Sequence, residues 1–236
     1  MSTYVLVHGA WHTGKELEPT AAPIRAAGHQ VHTPTIAGNR PGDSKKTGLD
    51  EAINSIVDYL ASNNLRDVVL MGHSYGGMII TGVADRAADR VGRVVYLDAA
   101  TPVDGQSLVD VAGPIIEAVR PYGQTIDGVE LVLLPGPGAG ALYGVTDPGD
   151  LAWMDERLTG HPWKCFEQPL KLTNEAAFNA LPKYHIVCTS TLATRDEDLM
   201  REAREAGRLW DIDTGHDLMI TEPRAVTDAL IQVASA

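Results

Sequence analysis

The sequence predicts an α/β protein, a mostly parallel sheet flanked by helices and interrupted by one insertion. Three observations carry that prediction. Short apolar or β-branched runs alternate with helical patterns over the first hundred residues. One of those runs, Val68–Met71, is apolar throughout, as a strand covered on both faces must be. The same rhythm resumes at His185 after a long irregular stretch.

Each element has its own warrant. Tyr4–Val7 is a short β-branched and apolar run that reads as a strand, and a glycine-bearing turn follows it. Thr20–Ala27 is an alanine-rich helix ended by Gly28, and Gln30–Thr33 is a second strand. Ile53, Ile56, Val57 and Leu60 fall at i, i+3, i+4 and i+7, which predicts an amphipathic helix from Asp50 to Ser62 with Asp50 as its N-cap. After Val68–Met71 come a helix over Gly76–Ala88 and a strand at Val94–Leu97.

From Pro102 to Pro182 the chain is rich in proline and glycine, as in "LLPGPGAGALYG", and only short helical stretches are expected. His185–Thr189 is then a strand, Asp196–Ala206 a charged helix and Leu209–Ile212 another strand. Val226, Ala229, Leu230 and Val233 mark the apolar face of a C-terminal helix. The expected organisation is a core from residues 1–101 and 183–236, with residues 102–182 as an inserted cap.

The 236 residues, 44% of them hydrophobic, suffice for one full core. A formal net charge of −12 argues against a nucleic-acid partner, whose phosphates would be repelled. Two cysteines, Cys165 and Cys188, make no disulfide framework and match no zinc spacing. No apolar run approaches membrane-spanning length, and the first strand begins too early to leave room for a signal peptide. A cytoplasmic location without a membrane partner is the expectation, with self-association to a homodimer left open.

The turn after the first strand, "HGAWHTGKE", supports two incompatible readings. Gly9, Gly14 and Lys15 fit G-x-x-x-x-G-K, a phosphate loop. Its flaw is Glu16, which stands where a Ser or Thr hydroxyl would hold magnesium and would repel a polyphosphate. The alternative is that His8-Gly9-Ala10-Trp11 walls an oxyanion hole.

"VVLMGHSYGGMII" favours the second reading. Gly72-His73-Ser74-Tyr75-Gly76 is G-x-S-x-G between an apolar strand and an apolar helix, the context of a nucleophile elbow. A chance glycine turn explains these five residues alone, but not that context. The base should be a histidine late in the chain, and His216 in "DIDTGHDLMITEP" follows the last strand. His8 and His73 read as backbone support, and His29, His32 and His185 as structural histidines on or beside strands. His12 and His161 are either pocket lining or surface.

With those motifs in place, the chain resembles the α/β-hydrolase superfamily, in the branch of plant methyl-ester esterases, hydroxynitrile lyases and small bacterial esterases. The resemblance runs through "VLVHGAWH", "AAGHQVHTPTIAG", "LRDVVLMGHSYGGMIITGVADR", "VVYLDAATPVDGQS", "YHIVCT" and "TGHDLMITEP". It implies the α/β-hydrolase fold, a cap over the active site, a small-molecule ester as substrate and no cofactor or metal. It also implies Ser74 as nucleophile, His216 as base, and the N–H groups of Ala10 and Tyr75 as oxyanion hole, with Trp11 an alternative to Ala10.

The departures are informative. In the plant enzymes an aspartate follows the threonine that matches Thr189 by two or three residues; here Thr191 and Leu192 stand there. Asp98, at the end of the strand after the nucleophile helix, is the favoured replacement, with Asp196 and Asp198 as alternatives that also read as helix-cap residues. The lyases of the branch carry threonine at Gly9 and lysine at Asp217, so hydrolysis is favoured over cyanohydrin cleavage. A ligand-binding receptor without turnover is the rival from another class. Trp11, His12, Trp153, Trp163 and Phe166 are candidates to contact the substrate, or else to pack the cap.

Overall fold

The computed structural model describes residues 1–134 and 136–236; Pro135, within the proline- and glycine-rich stretch, lies outside the described residues. The strands are β1 (Thr3–Val7), β2 (Gln30–His32), β3 (Val68–His73), β4 (Val91–Leu97), β5 (Gly123–Ile126), β6 (Val129–Val132), β7 (His161–Pro162), β8 (Lys183–Cys188) and β9 (Leu209–Ile212). Six form one sheet in the order β2-β1-β3-β4-β8-β9, and every pairing in it is parallel. This is the α/β-hydrolase fold that the sequence predicts.

The period-2 geometry of a strand divides the core. Along β1, Val5 and Val7 join the cluster that holds Ile53, Ile56 and Leu60 of the helix Leu49–Ser62 and Ile79 and Ile80 of the helix Gly76–Arg86. Tyr4 and Leu6 join the opposite cluster, with Leu17, Ile24 and the C-terminal Val226, Leu230 and Val233. All these side chains are buried. Helices therefore cover both faces, which is why the interior strands carry no polar alternation.

One capping expectation needs correction. The helix begins at Leu49, and its N-cap is the extended Gly48, not Asp50. Glu51 supplies the cap by accepting the Gly48 N–H at 2.6 Å, and this frees Asp50 to pair with Arg86.

The insertion is also more regular than its composition suggests. β5, β6 and β7 form an antiparallel sheet of their own. Its hairpin turns at Asp127-Gly128, both at positive φ (51° and 74°), the two-residue turn that suits twisted antiparallel strands. The insertion is fastened to the loops that leave the main sheet. The Trp11 indole N–H donates to the Val132 carbonyl at 2.9 Å, and Thr159 N–H to the Trp11 carbonyl at 2.9 Å.

The sheet order reverses at β1, with β2 on one side and β3 on the other. Parallel sheets leave a crevice at the carboxyl ends of such strands, where the two connections diverge. The turns holding Ala10 and Ser74 both open there.

Candidate active site

Ser74 lies between the end of β3 and the helix Gly76–Arg86, with φ at +55°. A non-glycine residue in the left-handed region is strained, and the surroundings must hold it there. Ser74 N–H donates to the Leu97 carbonyl at 3.3 Å, and its own carbonyl accepts from Gly77 at 3.0 Å and Ala100 at 3.1 Å. The close approach needs glycine: a Cβ on Gly77 would sit 2.0 Å from the Ala100 oxygen. Asp98 follows β4 directly, also at positive φ (+43°), and its N–H donates to Ile186 at 2.7 Å.

Three side chains that are far apart in sequence meet at these strand ends. His216 Nε2 lies 2.9 Å from Ser74 Oγ, and His216 Nδ1 lies 2.5 Å from Asp98 Oδ2. Asp98 is buried, while Ser74 and His216 keep partial exposure. Burial alone would raise the Asp98 pKa. The His216 hydrogen bond and charge, then Arg195 and Thr191, outweigh it and hold the carboxyl well below the usual range.

Asp98 Oδ1 accepts from Arg195 Nη2 at 2.8 Å, Thr191 Oγ1 at 2.6 Å and Cys188 N–H at 3.3 Å. The residue that stands where the plant enzymes place their acid thus supports Asp98. Asp196 instead caps the helix Glu197–Glu205, accepting Leu199 N–H at 2.9 Å, and Asp198 pairs with Arg201 on the surface.

The backbone N–H groups of Ala10 and Tyr75 donate to no protein acceptor among the described residues. Trp11, after Ala10, is held at φ +63°. The phosphate reading has no such support. Glu16 is buried and its carboxylate accepts both the Thr13 N–H and the Thr13 hydroxyl at 2.7 Å, while Lys15 points to solvent. Among the described residues, no cluster of three His, Cys, Asp or Glu side chains is disposed to hold a metal ion. Among the same described residues, no helix is long and apolar enough to cross a membrane.

The expected substrate contacts divide. Trp11 and Phe166 pack together, ring centroids 5.5 Å apart, and Phe166 also meets Tyr75 at 6.0 Å. Trp163 meets Phe166 edge-on at 5.8 Å, under the Arg120 guanidinium. His161 is fully buried among Trp11, Tyr75 and Phe166, so it is not a surface residue. Trp153 packs in the other hydrophobic cluster with Arg157 over its ring, away from these aromatics. A cavity of about 310 Å³ opens in the insertion, lined by Leu133, Leu134, Ala139, Leu158 and Thr159.

His12 is the clearest correction. Expected at the pocket or on the surface, it is instead 2% exposed with both ring nitrogens engaged, Nε2 with Asp217 at 3.1 Å and Nδ1 with the Ala10 carbonyl at 2.7 Å. Burial favours the neutral ring, but the charge and hydrogen bond of Asp217, then Glu16 and the Ala10 carbonyl, raise its pKa from 6.5 to about 9. A raised folded-state pKa gives stability that is complete below pH 6.5 and lost as pH rises through about 9. The melting temperature of the wild type is therefore expected to fall across that window relative to His12→Gln, which lacks the titrating group; parallel melting curves would contradict the pairing.

His8 and His73 support backbone, as expected: His8 Nε2 accepts Ile36 N–H at 3.1 Å, and His73 Nε2 donates to the His216 carbonyl at 3.0 Å. Burial lowers both of their pKa values to about 3. Sequence reading missed Arg195, Asp217 and the supporting part of Thr191. Only Thr191 had a signal, its place at the vacated acid position.

Comparison with known proteins agrees with this fold. The family model described as "Alpha/beta hydrolase family" matches residues 4–229. A carbendazim hydrolyzing esterase of Nocardioides sp. (strain SG-4G) is 46% identical over 112 residues, 46% of each chain. Salicylic acid-binding protein 2 of Nicotiana tabacum is 26% identical over 257 residues, 98% of this chain and 96% of that one. The solved structure of an extracellular alpha/beta-hydrolase from a Paenibacillus species matches with a TM-score of 0.77 at 25% identity, over 98% of both chains. The matches to the Nocardioides protein and to a pyrethroid hydrolase of Sphingobium wenxiniae span less than half of those relatives, 46% and 37% of their lengths.

Proposed function

We propose that this chain, which belongs to the alpha/beta hydrolase family, is a serine esterase that cleaves a small hydrophobic carboxylic ester through an acyl-enzyme. The observation that carries the reading is Ser74 on a strained elbow, 2.9 Å from a histidine that is itself 2.5 Å from a buried aspartate. Relatives named as esterases support the choice of an ester.

In this reading Ser74 Oγ attacks the ester carbonyl while His216 Nε2 takes its proton. The tetrahedral oxyanion accepts the Ala10 and Tyr75 N–H groups, a stabilisation whose loss typically costs about 10²–10³ in rate. Collapse expels the alcohol, protonated by His216, and leaves the acyl group on Ser74. Water, deprotonated by the same imidazole, then releases the acid and restores the serine. Asp98 keeps the His216 proton on Nδ1, so that Nε2 is free to accept.

Residues 102–182 serve as the lid, and their aromatic residues set which ester fits. Trp163→Ala is expected to change the ratio of rates on bulky and small esters by about fivefold or more, since pocket contacts discriminate by such factors. Trp153→Ala should leave that ratio within about twofold and lower stability instead, because Trp153 packs away from the site. Rate ratios on an ester panel check both, and equal effects of the two variants would contradict the assignment. The same panel, run without ATP or magnesium, tests the function: turnover of an ester supports it, and a requirement for nucleotide would overturn it.

A further inference from the structure

Asp217 and His12 are fully enclosed next to the proposed site, and the mechanism above uses neither. His12 Nδ1 faces the Ala10 carbonyl at 2.7 Å and Nε2 faces Asp217 Oδ2 at 3.1 Å. Both partners are acceptors, so both ring nitrogens must carry protons, and the ring is an imidazolium. Asp217 is the residue after His216. Its N–H donates to the Tyr143 carbonyl of the insertion at 3.0 Å, and His73 Nε2 holds the His216 carbonyl at 3.0 Å.

We infer that the buried His12–Asp217 pair is a positioning element that locks the Ala10 loop to the His216 loop. The inference rests on the esterase reading, since those loops matter together only if one bears an oxyanion donor and the other the base. A half-ångström change in their separation would misplace the base relative to the oxyanion site, and misplacements of that order are costly. The charges matter as well. Besides His12, the titratable groups that face the pair are Glu16 from the β1 turn, His73 from β3, Tyr143 from the insertion and His216 itself. His73 is neutral and Tyr143 is kept protonated by burial, so His12 is the cation that compensates Asp217 beside the base.

The two single variants therefore act differently on the base. His12→Gln keeps a donor toward Asp217 but leaves its carboxylate uncompensated next to His216, which favours the protonated base. The acid limb of kcat/KM, which reports protonation of the free enzyme's base, should move to higher pH by about one unit. Asp217→Asn removes the carboxylate, and the limb should stay or move to lower pH. The double variant should return the limb to the Asp217→Asn position. Each single variant should lower kcat by about tenfold to a hundredfold with KM within about twofold, as for residues that orient others.

The test is the pH dependence of kcat/KM on an aryl acetate for wild type, both singles and the double. If His12→Gln proves unfolded by circular dichroism, Asp217→Asn alone decides through its kcat: a tenfold or greater loss at unchanged KM supports the inference, and a loss under twofold overturns it. For folded variants, coincident limbs with kcat within twofold of wild type would overturn it while leaving the esterase reading intact. A wild type without Ser74-dependent ester turnover would overturn both.

Discussion

Ser74→Ala is expected to lower kcat by about 10⁴–10⁶, the range of triad knockouts, with the melting temperature close to that of wild type. The size follows from the division of labour in the site. Without Oγ there is no acyl intermediate, and any residual rate must come from water attacking a carbonyl polarised by the Ala10 and Tyr75 N–H groups. The fold should tolerate the change, because the bonds that hold residue 74 at φ +55° are all made by its backbone. Alanine removes one oxygen and no packing. Steady-state kinetics on an aryl ester check it, and wild-type turnover in the variant would contradict the mechanism.

Asp98→Asn should cost about 10⁴ in kcat, as loss of the orienting carboxylate does in the serine-protease template. The surroundings dictate which way the amide turns. Three donors, Arg195 Nη2, Thr191 Oγ1 and Cys188 N–H, converge on Oδ1, so the amide oxygen must occupy that position. The NH₂ then faces His216 Nδ1, which can only accept. The imidazole proton is driven to Nε2, against Ser74, where a base must have none. Asp196→Asn and Asp198→Asn should cost at most about 1 kcal/mol of stability and little activity, since asparagine caps as well as aspartate at 196 and the Asp198–Arg201 pair is exposed. Kinetics on folded variants decide: a fully active Asp98→Asn beside an inactive Asp196→Asn or Asp198→Asn would contradict the assignment of the acid.

The contrast between Ser74 and Asp98 shows which features of this protein were legible before the fold. Ser74 has a local signature, because the elbow needs glycines at fixed offsets and a strand and helix on either side. His216 has a weaker one, a loop after the last strand. Asp98 has none, since an acid needs only to reach the histidine, and three aspartates on two loops were open until the strand ends were placed in space. His12 was misread for the same reason. Its partner lies 205 residues away, and nothing near either residue announces the pair.

The insertion hid a different kind of signal. Asp127-Gly128 between "QTI" and "VELV" is a two-residue hairpin in plain sight, yet the proline and glycine around it made the whole stretch read as irregular. Trp153 was grouped with Trp11 and Trp163 on residue type alone. Side-chain chemistry does not say which hydrophobic cluster a residue of the insertion will join.

The mass of the protein after reaction with an aryl organophosphonate shows where the nucleophile is without assuming a substrate. A single adduct per chain is expected, located by peptide mapping to Ser74 and abolished in Ser74→Ala. An adduct on another residue, or none while ester turnover persists, would contradict it.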